Sequence, residues 1–206
     1  MILCVTGPMA AGKNLAERIL GKKGFVTTDA DLMVHQAIEN ARDSIFKRFG
    51  TLAEEEGISI RNADGTVNRR NLGALIFKSP ELLKAQEALV YPELNSMLDS
   101  FLHEHEGQDA AINATVLYKI PVMRKADFVL YIDAPSAVRY LRSRRRDRMS
   151  ARNTLARFRA QRNLFAKYKN AGADIRKVWN IGSAEALERK IDGFLQWCRS
   201  VNERRG

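Results

Sequence analysis

The chain has 206 residues, of which 45% are hydrophobic and 8% are aromatic. This composition is that of an ordinary globular protein and excludes a disordered or fibrous one, and the length favours a single domain over residues 1–206 with inserted lobes. The 34 basic and 24 acidic residues give a net charge of +10, which suits phosphate-bearing ligands, nucleic acid or an anionic surface.

The sequence also limits where the protein is expected to act. Its longest strongly apolar stretches, such as residues 128–132, are much shorter than the roughly 20 residues that cross a bilayer. The first residues lack the basic region and cleavage site of a secretory signal. Cys4 and Cys198 show no metal-type spacing, so we expect free thiols in a reducing compartment. We therefore expect a cytoplasmic protein with no membrane partner.

Taken in chain order, the hydrophobic pattern predicts short strands that alternate with helices. Apolar residues at helical spacing follow Lys13, and Gly24 ends that helix. A final amphipathic helix is predicted over residues 184–201. The alternation indicates an α/β fold with a parallel sheet between helices. The predicted strands cover residues 2–6, 25–27, 110–116, 128–132 and 175–179.

The loop after the first strand carries the strongest motif. Residues 7–13 match the first seven positions of the phosphate-loop pattern G-x-x-x-x-G-K-[S/T], directly after a strand and before a helix. Glycines let successive backbone N–H groups face phosphate oxygens, and Lys13 can reach the β and γ phosphates of ATP. Asn14 stands where Ser or Thr would bind Mg²⁺ and can offer a carbonyl oxygen instead. The residues expected to bind ATP are Gly7, Met9, Ala10, Ala11, Gly12, Lys13, Asn14 and Leu15.

Between the second and third strands the periodicity is helical, which predicts a helical insertion over residues 32–92. Asp64-Gly65 marks a turn within it, and Ser79-Pro80 is typical of an N-cap followed by proline in the first helical position. Much of the excess positive charge lies in residues 139–162, which indicates that phosphate groups are gathered at one site. The alternative for this segment is a solvated helix face. Ser150 is predicted to cap a helix that runs to about Tyr168.

An acidic pair follows the second predicted strand. Asp29 and Asp31 fall at the carboxyl edge of the sheet, where ligands of open α/β sheets bind. Phosphoryl transfer to an alcohol needs a carboxylate to orient the hydroxyl and accept its proton, and Asp31 can be that base. Capping of a helix by either aspartate is the alternative.

With the phosphate loop and the acidic pair, further motifs make the chain resemble the dephospho-CoA kinase family along nearly its whole length. These motifs include the run Asp-Gly-Thr-Val-Asn-Arg-Arg-Asn-Leu at residues 64–72, Ile-Phe at 76–77, Ser-Pro-Glu at 79–81 and Leu-Val-Tyr-Pro at 89–92. Later ones are Arg142, Arg146, Asp147, Arg157, Gln161, Ala173-Asp174 and Asn180-Ile-Gly182. The Asp-Gly…Arg-Arg segment is far more specific than a phosphate loop.

The resemblance implies ATP-dependent phosphorylation of the ribose 3′-hydroxyl of dephospho-CoA, with ATP and Mg²⁺. It makes Asp31 the base, with Lys13 and Arg142 as further catalytic residues, and residues 139–165 a lid over ATP. It implies that the insertion holds the acceptor. Beyond the phosphate loop, the resemblance implies that Arg146 and Asn180 contact ATP. The residues that it implies contact the acceptor are Asp29, Asp31, Arg69, Arg70, Tyr91 and Gln161.

Three residues depart from the family pattern: Asn14, Tyr91 in place of a histidine, and Lys119 in place of an acidic residue. They leave open an active divergent enzyme or a nucleotide-binding relative without activity. Another small-molecule kinase of the same fold is a further alternative, as is a nucleic-acid-binding ATPase. The arginine run lacks the interleaved aromatic residues of single-strand binding surfaces, so we expect no nucleic-acid partner. The sequence does not predict an oligomeric state.

Overall fold

A computed structural model describes residues 1–147, 151–170 and 174–204 of the chain. Its sheet has five parallel strands in the order β2-β3-β1-β4-β5, which confirms the predicted α/β fold. In the register, Val5 and Asp29 are both paired with Asn113, and Thr6 is paired with Tyr131. The carboxyl ends of the central strands therefore meet at one edge. The strands are β1 (Ile2–Thr6), β2 (Val26–Asp29), β3 (Ala110–Asn113), β4 (Phe128–Asp133) and β5 (Asp174–Trp179).

The helices connect the strands. Two short 3₁₀ turns, Leu117–Lys119 and Pro121–Lys125, lie between β3 and β4. The α-helices are α1 (Lys13–Lys22), α2 (Ala30–Asn40), α3 (Arg42–Glu55), α4 (Arg69–Ile76), α5 (Pro80–Glu104), α6 (Ser136–Asp147), α7 (Ala151–Ala160), α8 (Leu164–Lys169) and α9 (Ala184–Glu203).

One face of the sheet is covered by α1 and α9. The apolar stripe of α9, which includes Leu187, Ile191 and Phe194, packs with Ile19 and Leu20 of α1 against the central strands. Cys4 and Cys198 are free and buried, and burial raises the pKa of each thiol to about 12. Both therefore stay protonated near neutral pH.

Several predicted boundaries were wrong. The strand predicted over residues 110–116 ends at Asn113, because residues 114–116 leave the sheet in a bend that leads into the 3₁₀ turn beginning at Leu117. Helix α5 continues through Pro92 to Glu104, so the helical insertion is longer than residues 32–92. A proline inside a helix removes one hydrogen bond, yet the buried face of Val90, Leu94 and Leu98 continues on both sides of it.

The helix predicted within the basic segment is interrupted in the structure. In place of one helix to Tyr168, α7 ends at Ala160 and α8 begins at Leu164. The proposed cap Ser150 and the family residue Ala173 lie outside the described residues.

The chain divides into two compact units. The sheet unit comprises residues 1–29 and the described residues from 105 onward, and the helical unit comprises residues 30–104. Within the helical unit, Ser79 caps α5 as predicted by accepting a hydrogen bond from the Leu82 amide at 3.2 Å. The predicted turn at Asp64-Gly65 closes a small hairpin in which Arg61 pairs with Val67. None of the helices in the described part of the chain is both long and apolar enough to span a membrane.

Candidate functional site

The phosphate loop follows β1 and has a tightly curled backbone. Its φ angles are 148° at Gly7, 62° at Ala10 and 108° at Gly12, which lie in the region that favours glycine. A Cβ atom at Gly7 would overlap the backbone carbonyl oxygen of Ile132, so this position accepts no other residue without displacement of β4. The loop is therefore shaped by neighbouring backbone as well as by its own sequence.

Helix α1 begins at Lys13, directly behind this loop. Its N-cap, Gly12, has no side chain that could satisfy the first N–H groups of the helix. The positive end of the helix dipole adds to these donors, and together they form a site suited to an anion. Lys13 is 9% exposed, Asn14 is exposed, and Leu15 is partly buried against the core.

Asn180 contacts the phosphate loop through its side chain. It directly follows β5, is 4% exposed, and its backbone N–H donates to the Asp133 carbonyl at 2.7 Å. Its side-chain Nδ2 donates to the Ala11 carbonyl at 2.7 Å. A Cβ atom at Gly12 would overlap this amide. Asn180, expected to contact ATP, thus fixes the loop itself.

Arg142 of α6 joins the same arrangement. Its guanidinium donates to the Asn180 carbonyl at 3.2 Å and approaches the Ala11 carbonyl at 3.5 Å. Beside it lies an open cavity of about 420 Å³, which we call the loop cavity and which is lined by Ala10, Gly12, Arg142 and Arg145. Two arginines therefore line a cavity together with residues of the phosphate loop. The side chain of Arg146 lies outside the part of the chain that the structure describes.

Gln161 contacts the tip of the phosphate loop. Its Oε1 accepts a hydrogen bond from the Met9 amide at 2.7 Å, and Arg157 of α7 lies 4.0 Å from the Met9 sulfur. The resemblance assigns Gln161 to the acceptor, whereas in this structure it ties the segment after α7 to the phosphate loop.

Three polar residues converge at the carboxyl edge beside α1. Asn113, at the end of β3, is 1% exposed and donates through Nδ2 to Glu17 at 2.7 Å and more weakly to Asp29 at 3.4 Å. Burial raises the pKa of Glu17, the hydrogen bond from Asn113 opposes this, and the charge of Asp29 raises the pKa further. Because carboxylates only accept, they fix the amide with Nδ2 toward them. The Asn113 Oδ1 is then left buried without a partner among the described residues.

Sequence reasoning missed Glu17 and Asn113. Glu17 is one helical turn beyond Lys13, and Asn113 interrupts an otherwise apolar strand. The interruption was the available signal, because a polar residue at the end of a central strand lies at the ligand-binding edge. Side-chain oxygens of Glu17, Asp29 and Asn113 meet at this edge, Asn14 lies one position into α1, and such oxygens suit Mg²⁺. No group of three or more His, Cys, Asp or Glu side chains that could hold a metal occurs among the residues described.

The remaining predicted residues belong to the helical unit. Asp31 is exposed in the first turn of α2, two positions beyond the end of β2. Arg69 and Arg70 are exposed at the start of α4, which Asn68 caps by accepting from the Asn71 amide at 3.1 Å. Tyr91 is partly buried in α5. In the sheet unit, the divergent Lys119 is exposed at the end of the first 3₁₀ turn.

Comparison with known families gives one match over most of the chain. Residues 1–179 match the family model described as dephospho-CoA kinase. A dephospho-CoA kinase of Treponema pallidum is 35% identical over 197 residues, which cover 94% of this chain and 93% of the relative.

Solved structures agree on the fold. A crystal structure of a Thermus thermophilus protein superposes with a TM-score of 0.78 at 28% identity and covers 95% of this chain and 96% of its own. A shikimate kinase from Acinetobacter baumannii shares the fold alone, with a TM-score of 0.52 at 16% identity over 95% of this chain and 92% of its own.

Proposed function

This chain belongs to the dephospho-CoA kinase family, and we propose that its phosphate loop, Asp31 and arginine-rich segment carry out the family reaction in the roles given below. The family transfers a phosphate group from ATP to dephospho-CoA in the last step of coenzyme A synthesis. The observation that carries the proposal for this chain is the curled phosphate loop in front of α1, with Lys13 behind it and Arg142 beside it.

The loop binds the triphosphate of ATP. Backbone N–H groups at the start of α1 donate to phosphate oxygens, and the Lys13 ammonium reaches the β and γ phosphates. Arg142 and Arg145 line the loop cavity and stabilise the negative charge that develops during transfer. Asn180 acts by holding the loop in its curled form, through the 2.7 Å bond to Ala11.

The transfer step joins the acceptor oxygen to the γ phosphorus. The ribose 3′-hydroxyl attacks, the bond from the γ phosphorus to the β–γ bridging oxygen breaks, and ADP leaves. Asp31 orients the hydroxyl and accepts its proton. Its position after β2, at the beginning of α2, supports this role because it follows the carboxyl edge where Asp29 lies.

Side-chain oxygens beside the loop would hold the metal. Asn14 and the free Oδ1 of Asn113 are the protein oxygens that fit Mg²⁺, and the carboxylates of Glu17 and Asp29 add negative charge nearby. When bound, Mg²⁺ neutralises phosphate charge during transfer. Glu17 and Asp29 orient the Asn113 amide, as their hydrogen bonds require.

The helical unit binds the acceptor. Arg69 and Arg70 are exposed at the start of α4, where guanidinium groups can grip phosphate oxygens in pairs. Tyr91 contributes an aromatic ring from α5. The exposure of both arginines supports this role, because their side chains are accessible to a ligand.

The test is an assay of the purified full chain with ATP, Mg²⁺ and dephospho-CoA, with coenzyme A and ADP resolved by mass. We expect stoichiometric products, and we expect Asp31→Asn to lower the rate by roughly 10²–10⁴-fold while ATP binding persists. The matched control is Asp43→Asn, which changes an exposed aspartate in the first turn of α3. Equal rates for Asp31→Asn and the control would remove Asp31 as the base.

A second candidate is a nucleotide-binding protein without turnover. Asn14 and Lys119 favour it, because both replace residue types that the family pattern uses. The same assay separates the two candidates. ATP binding that depends on Lys13, without product from dephospho-CoA or other alcohols across several divalent metals, would favour the inactive protein.

A further inference from the structure

The basic segment does not serve a single site. Arg142 and Arg145 line the loop cavity, whereas Arg139, Arg159 and Arg162 line a different one. This second cavity, which we call the arginine cavity, has a volume of about 410 Å³ and lies between the end of β4 and helices α6 and α7. Pro8 of the phosphate loop and Gln161 also border it.

Arg139 is held in position by the protein. Its Nε donates to the Ala134 carbonyl at 3.1 Å and its Nη2 donates to the Ser136 hydroxyl at 3.3 Å. The guanidinium carbon lies 4.4 Å from the ring centroid of Phe158. Nη1 is buried and has no hydrogen-bond partner in the described part of the chain. A charged donor in this state is unfavourable, and an anion in the adjoining cavity would offset its charge.

The one carboxylate of the arginine cavity does not neutralise these arginines. Asp133 Oδ1 accepts from the Ala134 amide at 2.9 Å, and Oδ2 pairs with Lys177 at 3.3 Å. No ion pair to Arg139, Arg159 or Arg162 occurs within the described ranges. Tyr131 also lines the cavity, and burial followed by the charge of Asp133 raises its pKa to about 12, so its hydroxyl stays neutral. Among the described residues that line it, the cavity therefore has more positive than negative charge.

We propose that the arginine cavity binds a phosphate or diphosphate group, separate from the triphosphate that the phosphate loop binds. Guanidinium groups match phosphate oxygens in pairs and remain charged, and here Arg139 is already oriented by three contacts. The Ser136 hydroxyl and the Gln161 amide offer further hydrogen bonds to such a ligand. The group can belong to the acceptor, in which case the arginine cavity holds its diphosphate in place of Arg69 and Arg70, or it can be a free inorganic anion.

The binding test does not need turnover. Radiolabelled pyrophosphate is dialysed against the full chain while a non-hydrolysable ATP analogue with excess Mg²⁺ saturates the phosphate loop. We expect one further pyrophosphate per chain. The variant is Arg159→Gln with Arg162→Gln, because both side chains are exposed and their loss leaves the packing of Arg139 on Phe158 intact. The matched control is Arg152→Gln, an exposed arginine of α7 that does not line the cavity.

The double variant should weaken pyrophosphate binding by about tenfold or more, with less than about a twofold change in the control. Equal weakening in both variants, or no further pyrophosphate bound by the wild-type chain, would overturn the proposal. Where the site is present, displacement of pyrophosphate by dephospho-CoA identifies the acceptor diphosphate as the natural ligand. Persistence of pyrophosphate under saturating dephospho-CoA identifies a free anion. A negative result in this binding test does not change the expected result of the kinase assay, so the two proposals are tested independently.

Discussion

Glu17 is a carboxylate whose environment opposes its charge. Burial is the main cause of its raised pKa, the hydrogen bond from Asn113 partly offsets it, and the charge of Asp29 adds to it. The folded-state pKa therefore lies above the ordinary value of 4.5, so the folded state binds the proton more tightly than the unfolded state. Protonated Glu17 therefore stabilises the folded state at pH values below that ordinary value. This stabilisation is lost as the pH rises through the folded-state pKa.

Replacement of Glu17 by Gln should remove this loss of stability. Gln keeps an oxygen for the Asn113 amide and cannot ionise. We expect Glu17→Gln to melt at a higher temperature than the wild-type chain near neutral pH, with the difference shrinking as pH falls toward 4.5. Thermal unfolding measured across this range checks it.

The control for Glu17 is Glu54→Gln, which changes an exposed glutamate of α3. The same pH-dependent gain in Glu54→Gln would assign the effect to total charge. A lower melting temperature for Glu17→Gln at every pH would mean that the ionised carboxylate is favourable in the folded protein.

At the scale of elements, α3 (Arg42–Glu55) carries a glycine that its packing does not need. A Cβ atom at Gly50 would meet no atom within 4 Å, and the residue lies inside the helix. Gly50→Ala should therefore stabilise the protein by about 0.5–1 kcal/mol, because alanine loses less backbone entropy on folding. Chemical denaturation of the full chain measures the change.

Gly24 provides a control. It has the same open space around a Cβ atom as Gly50, but its backbone is in the left-handed conformation. A Cβ atom there also meets nothing within 4 Å, but φ is 91°, where the glycine ends α1. Gly24→Ala should destabilise by about 1 kcal/mol, because the left-handed conformation is strained for alanine. The same sign for both variants would contradict the distinction between helical and left-handed glycines.

The sequence predicted elements well where local signals were strong. The phosphate loop, the strand before it and the capped start of α5 were predicted because glycine spacing and Ser-Pro pairs act over a few residues. The end of β3 and the break between α7 and α8 were missed. The short apolar run continues past Asn113 through Ala114 and Val116, so its pattern alone does not show where the strand ends and the bend before the 3₁₀ turn begins.

The contacts within the site were harder to predict from the sequence than the residues that form it. The bonds from Asn180 to Ala11 and from Asn113 to Glu17 join residues 169 and 96 positions apart. Such pairs depend on strand order, which a single sequence does not specify. For the same reason the sequence suggested one arginine-lined phosphate site, whereas the fold distributes the arginines between two cavities.

At the scale of the whole molecule, the net charge of +10 would attract any polyanion. Arginines of the basic segment line two concave sites, the loop cavity and the arginine cavity. Concave sites suit small phosphate compounds, whereas a duplex needs an extended surface that follows its backbone. We therefore expect duplex DNA to bind only by charge, with affinity lost by roughly 0.2 M salt.

Fluorescence anisotropy of a labelled duplex, titrated at several salt concentrations with and without ATP and Mg²⁺, measures this directly. ATP should bind at salt concentrations where DNA does not, and Lys13→Ala should weaken ATP binding without changing DNA binding at low salt. The reason is that Lys13 is 9% exposed behind the phosphate loop, where a duplex cannot reach it. A DNA complex that resists salt and is displaced by ATP would instead favour a nucleic-acid-dependent ATPase, because the duplex would then compete for the loop itself.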